Sequence, residues 1–297
     1  MILMVTIKKR RIGGRIYYYL EHSVRRERRV EKREKYLGRS MPKNMQTLKA
    51  EFLYNIYREK WFDVFDRIKK NYSEEEKLTP KSARREELRK FSIRFTYDTQ
   101  RIEGSKLTLK ETAELLEAGV TPSGKPIRDV KEAEAQLNVF SEMLKQQKDL
   151  SLQLILYWHT KLFEATKQDI AGRIRKHQVA ISASKFIPPS PAEIPPLLRD
   201  FFRWYERSKQ KLHPVELASL AHLKFVTVHP FADGNGRISR LIMNFILHRN
   251  DFPMLNITYQ KRSSYYNALE RSQTKKQDQI FMQWFFRRYV KEHKRYV

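Results

Sequence analysis

The chain has 297 residues, 40% of them hydrophobic, and sets 60 Lys and Arg against 34 Asp and Glu for a formal charge of +26. That length holds one large domain, or a domain with a small appendage, and is ample for a core. The absence of cysteine excludes disulfides, thiol catalysis and cysteine-ligated metals and makes a cytoplasmic location the default. No apolar run approaches the roughly 18 residues of a membrane span, and the start lacks a secretory pattern, so no membrane partner is expected. The basic excess suits nucleic acid, an anionic surface or an acidic partner. It also resembles the charge-rich, cysteine-free composition of thermophile proteins.

The excess is steepest in residues 1–44, with fourteen Lys and Arg against four Asp and Glu. Three β-rich runs at 3–10, 15–23 and 28–37 predict a small meander. Gly13-Gly14 supplies its first hairpin turn, and Tyr17-Tyr18-Tyr19 gives its second strand aromatic weight. Aromatics among arginines suit a nucleic-acid or target-docking platform. The same residues suit a charge-protected sheet edge packed on a helical body.

Residues 46–72 carry Phe52, Ile56, Trp61, Val64, Phe65 and Ile68 at helical spacing and predict a long helix that stops before Ser73-Glu74-Glu75-Glu76. Thr79-Pro80 opens the next helix, which runs to Thr99-Gln100-Arg101-Ile102-Glu103-Gly104. Gly104 stops it and leaves the Glu103 carboxylate at the end that the helix dipole disfavours, so Glu103 wants a cationic partner. Thr108 with Glu111 forms a capping box for 108–117, closed by Gly119; Asp129 is the expected cap of 130–147 and Ser151 that of 152–165. Val179, Ile181 and Phe186 predict a short β-hairpin in 177–187, and 194–209 reads as a helix.

The densest chemistry lies in His229-Pro230-Phe231-Ala232-Asp233-Gly234-Asn235-Gly236-Arg237-Ile238-Ser239-Arg240, between two apolar-periodic segments at 214–228 and 237–248. This reads as a short loop joining two core helices. Gly234 and Gly236 permit positive φ and close approach of a ligand, and the following helix N-terminus presents unpaired N–H groups that suit an anion. Arg237 and Arg240 share one side of the first turn, where guanidiniums can neutralise phosphate oxygens. Asp233 makes sense beside phosphate if it holds a magnesium ion. His229, with an ordinary pKa of about 6.5, can accept a proton at neutral pH. Taken singly, His229 suits a cap and Asp-Gly-Asn-Gly a turn; together they are the parts of a phosphoryl or nucleotidyl transfer site.

The stretch 229–240 fits the whole signature of the Fic family, His-Pro-Phe-x-Asp/Glu-Gly-Asn-Gly-Arg-x-x-Arg, and the chain resembles that family over about 97–289. The resemblance implies a mainly α, Fic-type helical domain with a flap β-hairpin, here preceded by the small N-terminal β meander. It implies a protein adenylyltransferase that moves AMP from ATP, with Mg2+ or Mn2+, onto a Ser, Thr or Tyr hydroxyl of a target protein. By resemblance His229 is the base, Asp233 the metal ligand, and Gly234, Asn235, Gly236 and Arg237 the phosphate cradle. Arg240 would partner the terminal phosphate, while Tyr265 and Tyr266 lie near the adenine end.

The string 99–104 resembles the family's inhibitory motif, Ser/Thr-x-x-x-Glu-Gly/Asn, which pairs Glu103 with Arg240 and implies autoinhibition from a helix preceding the core. Expected boundaries are 1–44 for the meander, 45–95 for a helical packing region, 96–290 for the Fic domain and 291–297 for a basic tail. The motif equally fits the reverse reaction, removal of AMP from a target. The +26 charge leaves room for a different class, a nucleotide-sensing regulator that binds nucleic acid. Proteins of this class often self-associate, so a homodimer is an expectation of the resemblance alone.

Overall fold

In the computed structural model, which describes residues 5–26, 29–182 and 184–297, the chain divides into two units, Met1–Arg67 and Ile68–Val297. In the first, β1 (Thr6–Ile12), β2 (Arg15–Arg26) and β3 (Arg29–Gly38) form an antiparallel sheet in the order β1-β2-β3. Gly13 and Gly14 take φ of 57° and 76°, the left-handed pair a two-residue hairpin needs. The expected strand starts at Leu3 and Arg28 lie outside the described residues. Period-two alternation sends Leu20 and Val24 to one face, where they pack on Phe52 and Ile56 of α1 (Met45–Tyr57).

A π-helical turn, Arg58–Phe62, leads into α2 (Asp63–Leu78), which runs through Ser73–Glu76 and does not stop before it. Glutamates are good helix formers, and the Tyr72 hydroxyl donates to Glu76 one turn on at 2.8 Å, so Pro80 is the first residue that breaks the pattern.

The second unit continues with α3 (Lys81–Ile102), α4 (Leu109–Ala118), α5 (Ile127–Lys145) and α6 (Leu152–Phe163). After these come α7 (Ile194–Ser208), α8 (Pro214–Val228), α9 (Asn235–Arg249), α10 (Arg262–Lys275) and α11 (Asp278–Glu292). The capping box of Thr108 and Glu111 and the Ser151 cap are present, and Gly119 closes α4 in the left-handed conformation. Asp129 does not cap α5. Pro126 precedes the first turn, and the Asp129 carboxylate accepts from the Lys106 N–H at 2.6 Å, which ties the α3–α4 connection to α5.

Nor do the described residues of 177–187 form a hairpin. Side chains bond its backbone and the residues just after it instead: Arg175 donates to the carbonyls of His177 and Pro189, Gln178 to that of Pro188, and the Lys185 N–H reaches Glu270.

At the centre lies α9, packed against α8 and flanked by α3, α5 and α6. Ile238, Leu241, Ile242, Met243, Phe245, Ile246 and Leu247 are buried around its circumference, as a helix enclosed on all sides requires. Each such side chain stabilises the fold by about 1.5–3 kcal/mol. Central packing fixes the N-terminus of α9 within the unit's interior. Among the described residues no helix is long and apolar enough to cross a membrane.

Candidate active site

His229 ends α8 in the left-handed conformation, φ 51° and ψ 55°, a strained choice for a non-glycine residue. Its Nδ1–H donates to the Val226 carbonyl at 3.2 Å, a geometry that leaves Nε2 as the free acceptor. The ring is half-buried, and burial pushes its pKa below the ordinary histidine value against the opposing pull of that hydrogen bond. Arg175 holds the backbone on either side: its Nε donates to the His229 carbonyl and its N–H to the Pro230 carbonyl, both at 2.9 Å.

The loop is cross-braced from within. Asn235 accepts from the Phe231 N–H at 2.9 Å and donates to the Phe231 carbonyl at 2.8 Å, so its side chain staples the loop and only its backbone faces the helix mouth. His159 Nε2–H donates to the Asp233 carbonyl at 3.0 Å, while its Nδ1 accepts from the Gly172 N–H at 2.9 Å. Burial lowers the His159 pKa to about 4, and the neutral ring stacks on Phe231 at 3.8 Å. Gly234 takes φ 81° at the N-cap of α9, and the first intrahelical bond runs from the Ile238 N–H to its carbonyl. The N–H groups of Asn235, Gly236 and Arg237 therefore precede the ladder and make the anion-attracting end.

Gly236 lies inside the helix with ordinary φ, contrary to the positive φ expected of it; closeness is what it provides. A Cβ there would meet Glu103 Oε1 at 2.4 Å. The Glu103 carboxylate thus rests against the second residue of α9, where the helix attracts an anion.

Arg240, 1% exposed, anchors that carboxylate by donating to Glu103 Oε1 at 2.6 Å. It also donates to the Thr99 hydroxyl at 2.6 Å and to the Thr99 carbonyl at 3.3 Å, so one guanidinium grips the last turn of α3 at three points. Burial would lower the Arg240 pKa; Glu103 outweighs it and raises it. Tyr265 and Tyr266 bracket the same helix end: the buried Tyr265 hydroxyl accepts from Arg240 at 3.4 Å, and the Tyr266 hydroxyl donates to the Ile102 carbonyl at 3.1 Å.

Arg237, also 1% exposed, points elsewhere. It bonds Glu132 Oε2 of α5 at 2.5 Å and Asp233 Oδ1 at 3.4 Å, with its guanidinium carbon 4.4 Å from the centre of the Phe163 ring. Lys167 donates to Asp233 Oδ2 and stands 3.5 Å from Glu132 Oε1. Burial pushes the Asp233 carboxyl up, but Arg237 and Lys167 prevail and hold it at about 2. Sequence reasoning missed Glu132, Lys167 and the bracing role of Arg175. Their sequence neighbourhoods carry no motif, and only the approach of α5 and the 164–176 connection to the loop gives them a place.

A divalent cation fits this arrangement in a limited way. Among the described residues no group of three His, Asp or Glu could hold one. Asp233 is a single, 38% exposed carboxylate of the kind that binds magnesium together with substrate phosphates, and Lys167 now holds its outer oxygen.

The fold and site together define an α-helical domain whose central helix carries at its N-terminus a glycine-bracketed loop, a histidine and two buried arginines paired with carboxylates. Residues 149–247 match the Fic/DOC family model. It is 35% identical over 198 residues to protein adenylyltransferase fic-1 of Caenorhabditis elegans, covering 65% of this chain and 39% of that protein. It is 36% identical over 178 residues to protein adenylyltransferase Fic of Drosophila melanogaster, covering 59% and 36%. The chain thus spans somewhat over a third of the length of these relatives.

Among solved structures, a Fic domain containing signaling protein from Bacteroides thetaiotaomicron superposes with a TM-score of 0.69 at 27% identity, covering 77% of this chain and 94% of that one. Fic-1 from C. elegans superposes with a TM-score of 0.68 at 29% identity, covering 86% and 77%.

Proposed function

We propose that this chain transfers AMP from ATP to a Ser, Thr or Tyr hydroxyl of a target protein and is held in check by Glu103. The observation that carries the reading is His229 Nε2, free to accept a proton in the loop that leads to the N-terminus of α9. In the reaction His229 takes the proton of the target hydroxyl, whose oxygen attacks the α-phosphorus in line. The bond to the bridging oxygen breaks, and pyrophosphate leaves with the electron pair. The N–H groups of Asn235, Gly236 and Arg237 steady phosphate oxygens, and Arg240 receives the terminal phosphate once Glu103 releases it. Mg2+ or Mn2+, when bound at Asp233, supplies neutralisation of phosphate charge. Tyr266, 43% exposed, would line the base end.

Glu103 restrains this chemistry by occupying both halves of the terminal-phosphate subsite, the Arg240 guanidinium and the surface of Gly236. Because burial lowers the His229 pKa, the base stays unprotonated at neutral pH, and the acid limb of the rate profile should fall below about pH 6.5. The position of Glu103 against Gly236 also suits orientation of a water for the reverse reaction, removal of AMP. Release of AMP from a modified protein, lost in Glu103→Gln, would favour that direction.

The test is intact-mass spectrometry after incubation with ATP and Mg2+. Glu103→Gly should gain AMP adducts about tenfold faster than wild type, and adding His229→Ala should lower that rate by about 10²–10⁴. A folded Glu103→Gly chain no faster than wild type, on itself or on supplied hydroxyl-bearing proteins, would remove the restraint from the reading.

A further inference from the structure

Within the Met1–Arg67 unit the two faces of the sheet do different work. The inner face is spent on the core with α1, and two of its cations have acidic partners there: Arg33 reaches Glu59 at 3.0 Å and Lys35 reaches Glu51 at 3.8 Å. Register puts Tyr17 and Tyr19 of β2 and Tyr36 of β3 on the outer face, opposite Arg10 and Lys8 of β1.

The three rings touch. Tyr36 lies 5.3 Å from Tyr19 and 6.2 Å from Tyr17 between centroids, and it is 53% exposed. The Arg10 guanidinium carbon stands 4.7 Å from the centre of Tyr19, and that of Arg39 stands 5.9 Å from Tyr17. An outer face that had only to stay wet would carry polar residues; a row of three aromatics with guanidiniums over them is a stacking surface.

We propose that this outer face binds single-stranded nucleic acid, with bases against Tyr17, Tyr19 and Tyr36 and phosphates on Lys8, Arg10 and Arg39. Charge complementarity argues for that occupant: fourteen Lys and Arg against four Asp and Glu in residues 1–44 suit a polyanion. Stacking tyrosines set among those cations suit unpaired bases, because every base offers a flat apolar face whatever its sequence. A duplex buries those faces in its own stack. Glu21 and Glu34 lie on the same face, where they position Lys8 at 3.9 Å and Arg10 over Tyr19. A bound strand substitutes its phosphates for those two carboxylates. This inference does not rest on the transfer reaction.

Fluorescence anisotropy of the full chain with a labelled single-stranded oligonucleotide, as DNA and as RNA, tests it across a salt series. Wild type should bind the strand more tightly than a duplex of equal length and weaken steeply with salt. Tyr17→Ala/Tyr19→Ala/Tyr36→Ala should bind at least about tenfold more weakly at fixed salt with the salt slope retained, and the corresponding triple Phe variant should bind like wild type. Lys8→Ser/Arg10→Ser/Arg39→Ser should flatten the slope, and His229→Ala should bind the strand unchanged.

Should the triple Ala variant fail to fold, Tyr36→Ala alone carries the test, with a few-fold loss expected. Undiminished binding by folded tyrosine-to-alanine variants, tighter binding of duplex, or displacement of the strand by an equal charge of polyglutamate would overturn the proposal. The last two outcomes would point to a duplex or an acidic protein as the occupant.

Discussion

Cations in the two units are held in opposite ways. Arg237 and Arg240, at the head of α9, are each 1% exposed and each bonded to a carboxylate from a distant part of the chain, Glu132 or Glu103. Arg10 and Arg39 lie at the surface of the meander, over tyrosine rings. A buried guanidinium has no water to fall back on, so its partner is obligatory and its position is fixed before any ligand arrives. A surface guanidinium exchanges partners at little cost, as the strand-binding face proposed above would require. The same residue type therefore gives preorganisation in one unit and adaptability in the other.

The largest expected effect breaks the buried side of that contrast. Glu132→Ala strips Arg237 of its main partner and leaves a buried charge only partly compensated by Asp233, which should cost about 3–5 kcal/mol in denaturant or thermal unfolding. Glu51→Ala, which removes the partner of Lys35 on the meander, should cost under about 1 kcal/mol. Equal losses would show that burial does not set the difference.

A second test asks what burial does to a carboxylate that lacks a cation. Glu216 lies in the first turn of α8, 7% exposed, with Oε2 unpartnered, and burial pushes its pKa up to about 7. The folded state then holds a proton that the unfolded chain, titrating at about 4.3, has released. Its contribution to stability is whole below about pH 4.3 and is lost as pH rises through about 7. Glu216→Gln should match wild type near pH 4.5 and exceed it near pH 8 by up to about 3 kcal/mol in urea unfolding. A constant difference across pH would show that the carboxyl is not protonated in the fold.

Much of this was legible in the chain because the signals are local. The Thr108/Glu111 box, Ser151, Gly104, Gly119 and the Gly13-Gly14 turn each fix backbone by their own chemistry, and the apolar stripes of α8 and α9 are long enough to be unambiguous. The loop 229–240 was legible because its residues are contiguous; the helix end told only that Glu103 wants a cation, and Arg240 as that cation came from the resemblance to the inhibitory motif.

Other features depend on tertiary partners and leave no local trace. The segment 177–187 has the alternation of a hairpin, yet Arg175, Gln178 and Glu270 take its hydrogen bonds. Asp129 has the chemistry of a cap and is claimed by the Lys106 N–H. Gly236 was expected to supply a turn; it supplies the room that Glu103 needs.

The smallest effect concerns Lys167, which stands between the two kinds of cation, 26% exposed yet bonded to Asp233 and close to Glu132. If Asp233 holds a divalent cation, as proposed above, that cation would displace this ammonium, and Lys167 would set a threshold for its binding. Lys167→Met keeps a stem able to cover the Phe163 ring, whose centre lies 5.1 Å from Nζ, and removes the competing charge. The pair is partly solvated, so its loss should cost no more than about 1 kcal/mol of stability. Mn2+ binding in the presence of a non-hydrolysable ATP analogue, followed by electron paramagnetic resonance, should tighten two- to fivefold, the factor that about 0.5–1 kcal/mol corresponds to. An unchanged Mn2+ affinity would mean that Lys167 swings aside at no cost and serves only to hold the loop against α5.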